Sequence, residues 1–231
     1  MNTSITHAAK DEKGFTLVEL AVVMVIIGLL VGGILKGQEM IANAQVTSTV
    51  AQIKAIDAAT GTFRDIYNAF PGDMLTPTTR LPNCAAAPCN VAGDGDTRLE
   101  TVPLAAVAAG EELSFFPHLE AADLVSGVNV GNLMDASVTG NEIVPGFTNG
   151  AAVGLLATPR SGHYLSVVQS GTAAGLGLKP IDAARMDRKM DDGDPTTGAA
   201  GGGGGATCGA AGAYDEDNQG QTCTFSVRIQ G

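Results

Sequence analysis

GFTLVELAVVMVIIGLLVGGIL, Gly14 to Leu35, is the stretch on which the architecture turns. After the glycine, Phe15 to Leu35 carry one charge, Glu19, and almost every other position is apolar. A helix needs about 20 such residues to cross a bilayer core. The run starts abruptly after Lys10-Asp11-Glu12-Lys13 and ends at Lys36-Gly37-Gln38, with no small-residue A-x-A site at its far end. It is therefore read as a retained spanning helix, not as a secretory signal that is cut away behind its apolar core.

Glu19 gives the helix a purpose beyond anchoring. A carboxylate at the centre of a spanning helix costs about 2.5–3.5 kcal/mol on insertion scales. It persists there when it has a partner or a task. One turn inside the N-terminus the cost is lower, because the helix dipole favours an anion by about 0.3–1 kcal/mol. No Lys or Arg lies between Glu19 and Lys36. A free amine on Phe15, exposed by a cut after Gly14, would supply the missing cation. In a bundle of identical helices that amine of one copy would meet Glu19 of its neighbour.

Gly14-Phe15-Thr16-Leu17-Val18-Glu19-Leu20 resembles the cleavage and methylation motif of type IV prepilins and type II secretion pseudopilins. The resemblance implies a leader, residues 1–14, removed by a prepilin peptidase on the cytoplasmic side. It implies N-methylation of Phe15 and neutralisation of a neighbour's amine by Glu19 as a helical filament of identical subunits assembles. It further implies an inner-membrane assembly platform, minor pilins as possible partners, lipid contact before assembly, and a C-terminal domain in the periplasm. The structural rival within this family is a minor subunit that initiates or caps the filament or takes up DNA. The rival outside it is a membrane-tethered periplasmic binding domain that never polymerises.

The apolar pattern changes after Leu35 without stopping. Val46, Val50, Ile53, Ile56, Phe63, Ile66, Tyr67 and Phe70 recur mostly three or four apart, with Gln45, Thr49, Gln52, Lys54, Asp57 and Arg64 between them. That is an amphipathic helix continuing the spanning one, ended by Pro71-Gly72-Asp73. Its stripe must lie on something, most simply a sheet. The expected fold class is α+β and pilin-like: a long N-terminal helix packed on a small antiparallel sheet with long disulfide-tied loops. The expected divisions are leader 1–14, spanning helix 15–36, amphipathic helix 37–71 and globular domain 72–231.

Within that domain, 72–110 reads as a long loop rich in proline. A helix is expected from Glu111 to Val125, with Pro117 kinking or splitting it. Residues 128–162 read as loop, with a strand candidate around Ala151 to Ala157. Tyr164 to Gln169 reads as a strand. Pro180 to Met190 reads as a short helix, with Pro180 in its first turn. The Gly/Ala tract Gly198 to Ala213 reads as a flexible loop. Thr222 to Ile229 alternates cleanly and reads as a half-buried strand, with Cys223, Phe225, Val227 and Ile229 on its core face.

The four cysteines fall into two local couples, Cys84/Cys89 and Cys208/Cys223. In an oxidising compartment these read as two loop-closing disulfides. Four cysteines still permit three pairings. Neither couple has zinc spacing, and no histidine is near either in sequence. Calcium is the one ion the acidic turns suggest. Asp94 and Asp96, and Asp191, Asp192 and Asp194, place hard oxygens within a few residues. Some pseudopilins bind calcium, but neither stretch fits the EF-hand pattern, and turn formation by Asp is the plainer reading.

No catalytic constellation stands out. Ser161-Gly162-His163 lacks the G-x-S-x-G context of a nucleophile elbow, and the chain is read as a non-enzyme without a catalytic cofactor. The net charge of −11 weighs against nucleic-acid binding over the whole surface. Arg185, Arg188 and Lys189 form the only compact basic cluster in the sequence.

Overall fold

The structure is a computed structural model describing residues 14–100, 110–129, 131–150, 159–171, 175–210 and 212–229. Most of the expected leader, and the strand candidate at Ala151 to Ala157, lie outside the described residues. The chain forms two units, 1–41 and 42–231. Helix α1, Leu17–Tyr67, begins in the first and ends in the second.

In the first unit the helical residues are almost all exposed, as an apolar rod without neighbours must be. This part is long and apolar enough to cross a membrane. In the second unit α1 buries one stripe: Val46, Thr49, Val50, Ile53, Ile56, Ala59, Thr60 and Phe63. Each of the larger apolar side chains contributes about 1.5–3 kcal/mol by leaving water. Ile66, expected on this stripe, falls off it and is 60% exposed. Phe70, beyond the helix, is buried in the core. The helix stops at Tyr67 because Asn68 takes a left-handed conformation (φ 46°), which suits asparagine just past a helix end.

The sheet has five antiparallel strands in the order β1-β2-β3-β7-β4. These are β1 Met134–Asp135, β2 Asn141–Thr148, β3 Gly162–Gln169, β4 Ala200–Gly203 and β7 Thr224–Arg228. A small ribbon pairs β5, Gly209–Ala210, with β6, Ala213–Tyr214. Cross-strand partners share a face. Ile143, Val167, Phe225 and Gly202 form one row, and Val144, Ser166, Ser226 and Gly201 form its neighbour on the other face. Phe70 stacks on His163 at 3.7 Å between ring centroids, on the face shared with Leu165 and Val167. Thr49 Oγ1 accepts from the Val138 N–H and Gln52 Oε1 from the Ser137 N–H, fastening the β1–β2 turn to α1.

Further expectations need correction. The last strand is buried on both faces. Thr224 and Ser226 are nearly inaccessible, and the Ser226 hydroxyl pairs with that of Ser166 at 2.8 Å, which satisfies both. Strand β2 lies where loop was expected, because Pro145-Gly146 interrupts its strand pattern. The glycine tract supplies edge strand β4 instead of a flexible loop. A Cβ at Gly202 would sit 2.5 Å from the Tyr214 ring, so bare backbone is what lets Tyr214 pack there. The 72–110 segment contains a short helix, α2, Pro77–Arg80, begun by its proline.

Helix α3, Glu111–Ala121, runs through Pro117 without a break. Helix α4, Pro180–Met190, lies as expected.

Candidate functional site

Gly14, Phe15 and Thr16 precede α1, and Phe15 is 83% exposed. A Cβ built on Gly14 meets nothing within 4 Å. Thr16 is the N-cap. Its hydroxyl oxygen accepts from the Glu19 N–H at 3.3 Å, and Glu19 Oε2 accepts from the Thr16 N–H at 2.9 Å. The Thr16 hydroxyl also donates to the same oxygen at 2.9 Å. This reciprocal capping box satisfies two N–H groups that the first turn would otherwise leave open. Thr-x-x-Glu ahead of an apolar run is its sequence signature, and the reading of Glu19 as a lone carboxylate passed over it.

Both cysteine couples are disulfides, Cys84–Cys89 and Cys208–Cys223. The fold brings His118 against the first couple, across a sequence distance that hid it. Its Nδ1 accepts from the Gly72 N–H at 2.9 Å, and its Nε2–H donates to the Cys89 carbonyl at 2.8 Å. Those bonds require the neutral ring. Burial pulls its pKa down to about 4, against the Cys89 bond, which favours the charged form. With both thiols oxidised, this trio offers no thiolate to a metal. His163 is likewise held near 4, by burial first and then by the charges of Arg64 and Arg98.

The two acidic stretches fare differently. Asp191 Oδ2 accepts from the Ala199 and Ala200 N–H groups, Asp192 Oδ2 from the Thr197 hydroxyl, and Asp194 Oδ1 from the Thr196 N–H. These three carboxylates bind the loop that leads into β4. Asp94 and Asp96 instead meet Asp73, which the sequence reading had left out. One carboxylate oxygen from each lies within 4.8 Å of the other two. Glu111, the first residue of α3, adjoins them: its Oε1 accepts from the Asp94 N–H at 3.1 Å, and its carboxyl touches that of Asp73. Burial, and then the charge of Asp73, push the Glu111 pKa upward.

The basic cluster on α4 is largely neutralised. Arg185 pairs with Asp182 at 3.5 Å and Arg188 with Glu216. On the same helix Asp187 is fully buried and accepts from the Tyr214 hydroxyl at 2.6 Å.

No curated protein and no solved structure matches the chain significantly. Residues 9–35 match the family described as the Prokaryotic N-terminal methylation motif. With its α+β pilin-like fold, the chain thus carries at its N-terminus the motif borne by type IV prepilin- and pseudopilin-type proteins.

Proposed function

We propose that this chain is a structural subunit, pilin or pseudopilin, of a type IV pilus or type II secretion pseudopilus. The observation that carries the reading is Glu19, one turn inside an apolar helix that starts directly after Gly14-Phe15. A prepilin peptidase cuts between Gly14 and Phe15, and the new Phe15 amine is methylated and keeps its charge. Gly14 and Phe15 lie outside the helix, which suits a peptide bond that a protease must straighten. Both hydrogen bonds that Glu19 accepts from Thr16 fall on Oε2, so Oε1 is the oxygen offered to a neighbour's amine. In the low dielectric among packed helices that pairing is far stronger than in water, and it sets the axial register of adjacent subunits.

Before assembly the helix sits in the inner membrane, and an assembly platform extracts it into the filament. The domain after the helix lies in the periplasm, a compartment in which two disulfides persist. The chemistry is mechanical and not enzymatic. Mass spectrometry of the mature N-terminus tests the reading. A chain beginning with N-methylated Phe15 is expected, whereas an intact Met1 or a cut elsewhere would overturn it.

A further inference from the structure

Four of the chain's seven arginines gather around the start of β3, a cluster that no single stretch of sequence displays. The charges of Arg64, on α1, and Arg98, in the loop before α3, both act on His163. Arg98 also lies over the Phe147 ring, 5.4 Å from its centroid. Tyr164, the next residue along the strand, points to the other face, and there Arg160 and Arg228 act on it. Arg228 reaches across Gly162, where a Cβ would stand 2.6 Å from its Nε. All four arginines are exposed, and among the described residues Arg98, Arg160 and Arg228 form no ion pair. Asp191, at the adjoining end of β4, is spent on the Ala199 and Ala200 N–H groups. On a chain of net charge −11, guanidinium groups brought together in this way create a local field of the opposite sign.

The complementary charge lies at the other end of β7. Asp215, Glu216 and Asp217 follow one another in the loop closed by the Cys208–Cys223 bridge. Glu216 pairs with Arg188, whereas Asp215 and Asp217 are exposed and form no ion pair among the described residues. The Asp215 N–H donates to the Cys208 carbonyl at 2.9 Å, and Asn218 Nδ2 donates to the Thr207 carbonyl at 3.0 Å. The two carboxylates are therefore positioned before any contact forms, which lowers the entropy cost of binding. Asn218 also reaches Thr222, just ahead of β7, while Arg228 ends that strand. At 3.3 Å per residue the strand sets the two groups roughly 20 Å apart, beyond the reach of any side chain. We infer that they meet between copies, the arginine cluster of one chain docking the Asp215–Asp217 loop of a second. Such a contact is heterologous: each copy keeps one cluster and one loop unused, and the series stays open. The inference goes beyond the filament reading, because it involves neither Glu19 nor the leader and holds in a chain that is never processed.

The test follows the full chain in uncharged detergent micelles by sedimentation, at about 0.01 M and about 1 M salt, where charges are screened beyond about 30 Å and 3 Å. The wild-type chain is expected to associate at low salt and to separate at high salt. Arg98→Glu with Arg160→Glu and Arg228→Glu should weaken association about tenfold or more, and so should Asp215→Arg with Asp217→Arg, because each variant then meets like charge. Mixed in equal amounts, the two variants should associate as the wild type does, since each supplies the charge the other has lost. A damaged fold would not be repaired by mixing. Arg98→Gln with Arg228→Gln removes charge without reversing it, should still weaken association severalfold, and covers the case of a reversal that unfolds the chain. The proposal falls if the wild type stays single at low salt, even if it captures duplex DNA there, or if its association is the same at both salts. It falls equally if the Gln variant or either folded reversal associates like wild type, or if the two folded reversals stay apart when mixed.

Discussion

Glu19 accepts a hydrogen bond from the backbone N–H of Thr16, while the Thr16 hydroxyl oxygen accepts one from the Glu19 N–H. The carboxylate that the filament reading assigns to a neighbouring subunit thus already caps its own helix. The two roles separate by mutation. Thr16→Ala removes the cap, worth about 1 kcal/mol, and should fray the first turn while leaving incorporation into filaments measurable. Glu19→Ala should abolish incorporation, although it makes the helix easier to insert. Immunoblotting of sheared filaments against the membrane fraction distinguishes them. Normal incorporation of Glu19→Ala would defeat the register argument.

The His118 ring carries a pH dependence whose sign follows from its bonds. Its pKa falls from 6.5 to about 4 on folding. Above pH 6.5 both states are neutral there and nothing is lost. As pH drops toward 4 the unfolded chain takes up a proton that the native chain refuses, so native stability declines by about 3 kcal/mol from this group. Asp187 works in the opposite sense, because burial raises its pKa to about 6 and its ionisation opposes folding above that pH. His118→Gln should destabilise at neutral pH, and its deficit against wild type should shrink as pH falls from 6.5 to 4. Paired thermal melts across that range would show it. A constant deficit would contradict the assignment.

Gly202→Ala tests the edge strand. The added methyl would meet the Tyr214 ring at 2.5 Å, with the Cys208 sulfur at 3.2 Å. Overpacking of this kind costs about 1–3 kcal/mol. The neighbouring Gly205, whose Cβ position is open, has φ 67° and would suffer only its backbone penalty on the same change. Chemical denaturation of the two variants should rank Gly202→Ala as the more damaging.

Reduction should also be graded. The Cys208–Cys223 bridge spans 15 residues and the Cys84–Cys89 bridge spans 5. On loop-closure entropy the longer bridge contributes about 3 kcal/mol and the shorter one less. Cys208→Ser with Cys223→Ser should therefore lower the denaturation midpoint more than Cys84→Ser with Cys89→Ser does.

The long helix, α4 and the last strand were legible because each displays its period in one continuous run. Phe63 and Ile53 announce a face by spacing alone. Strand β2 was hidden by Pro145 and Gly146, residues that argue locally against a strand; the proline is tolerated because β1 pairs only with Glu142 and Ile143, which leaves β2 an open edge on that side at Pro145. The tract at Gly201–Gly203 gave no side-chain signal at all, since its role is to leave space for Tyr214. At the N-terminus the methylation motif was readable because it is contiguous. Asp73 and Glu111 were not, because only the fold brings a residue just past α1 against the first residue of α3. Neither side chain says in sequence that it will be buried.

Gly14 stands where an added methyl would touch nothing. The folded protein makes no demand for glycine at that position. On the proposed cut after Gly14, substitutions there should leave the fold unchanged yet alter how fast the precursor matures. They would form a graded series for genetics, in which each phenotype reports on the processing enzyme and none on a damaged product.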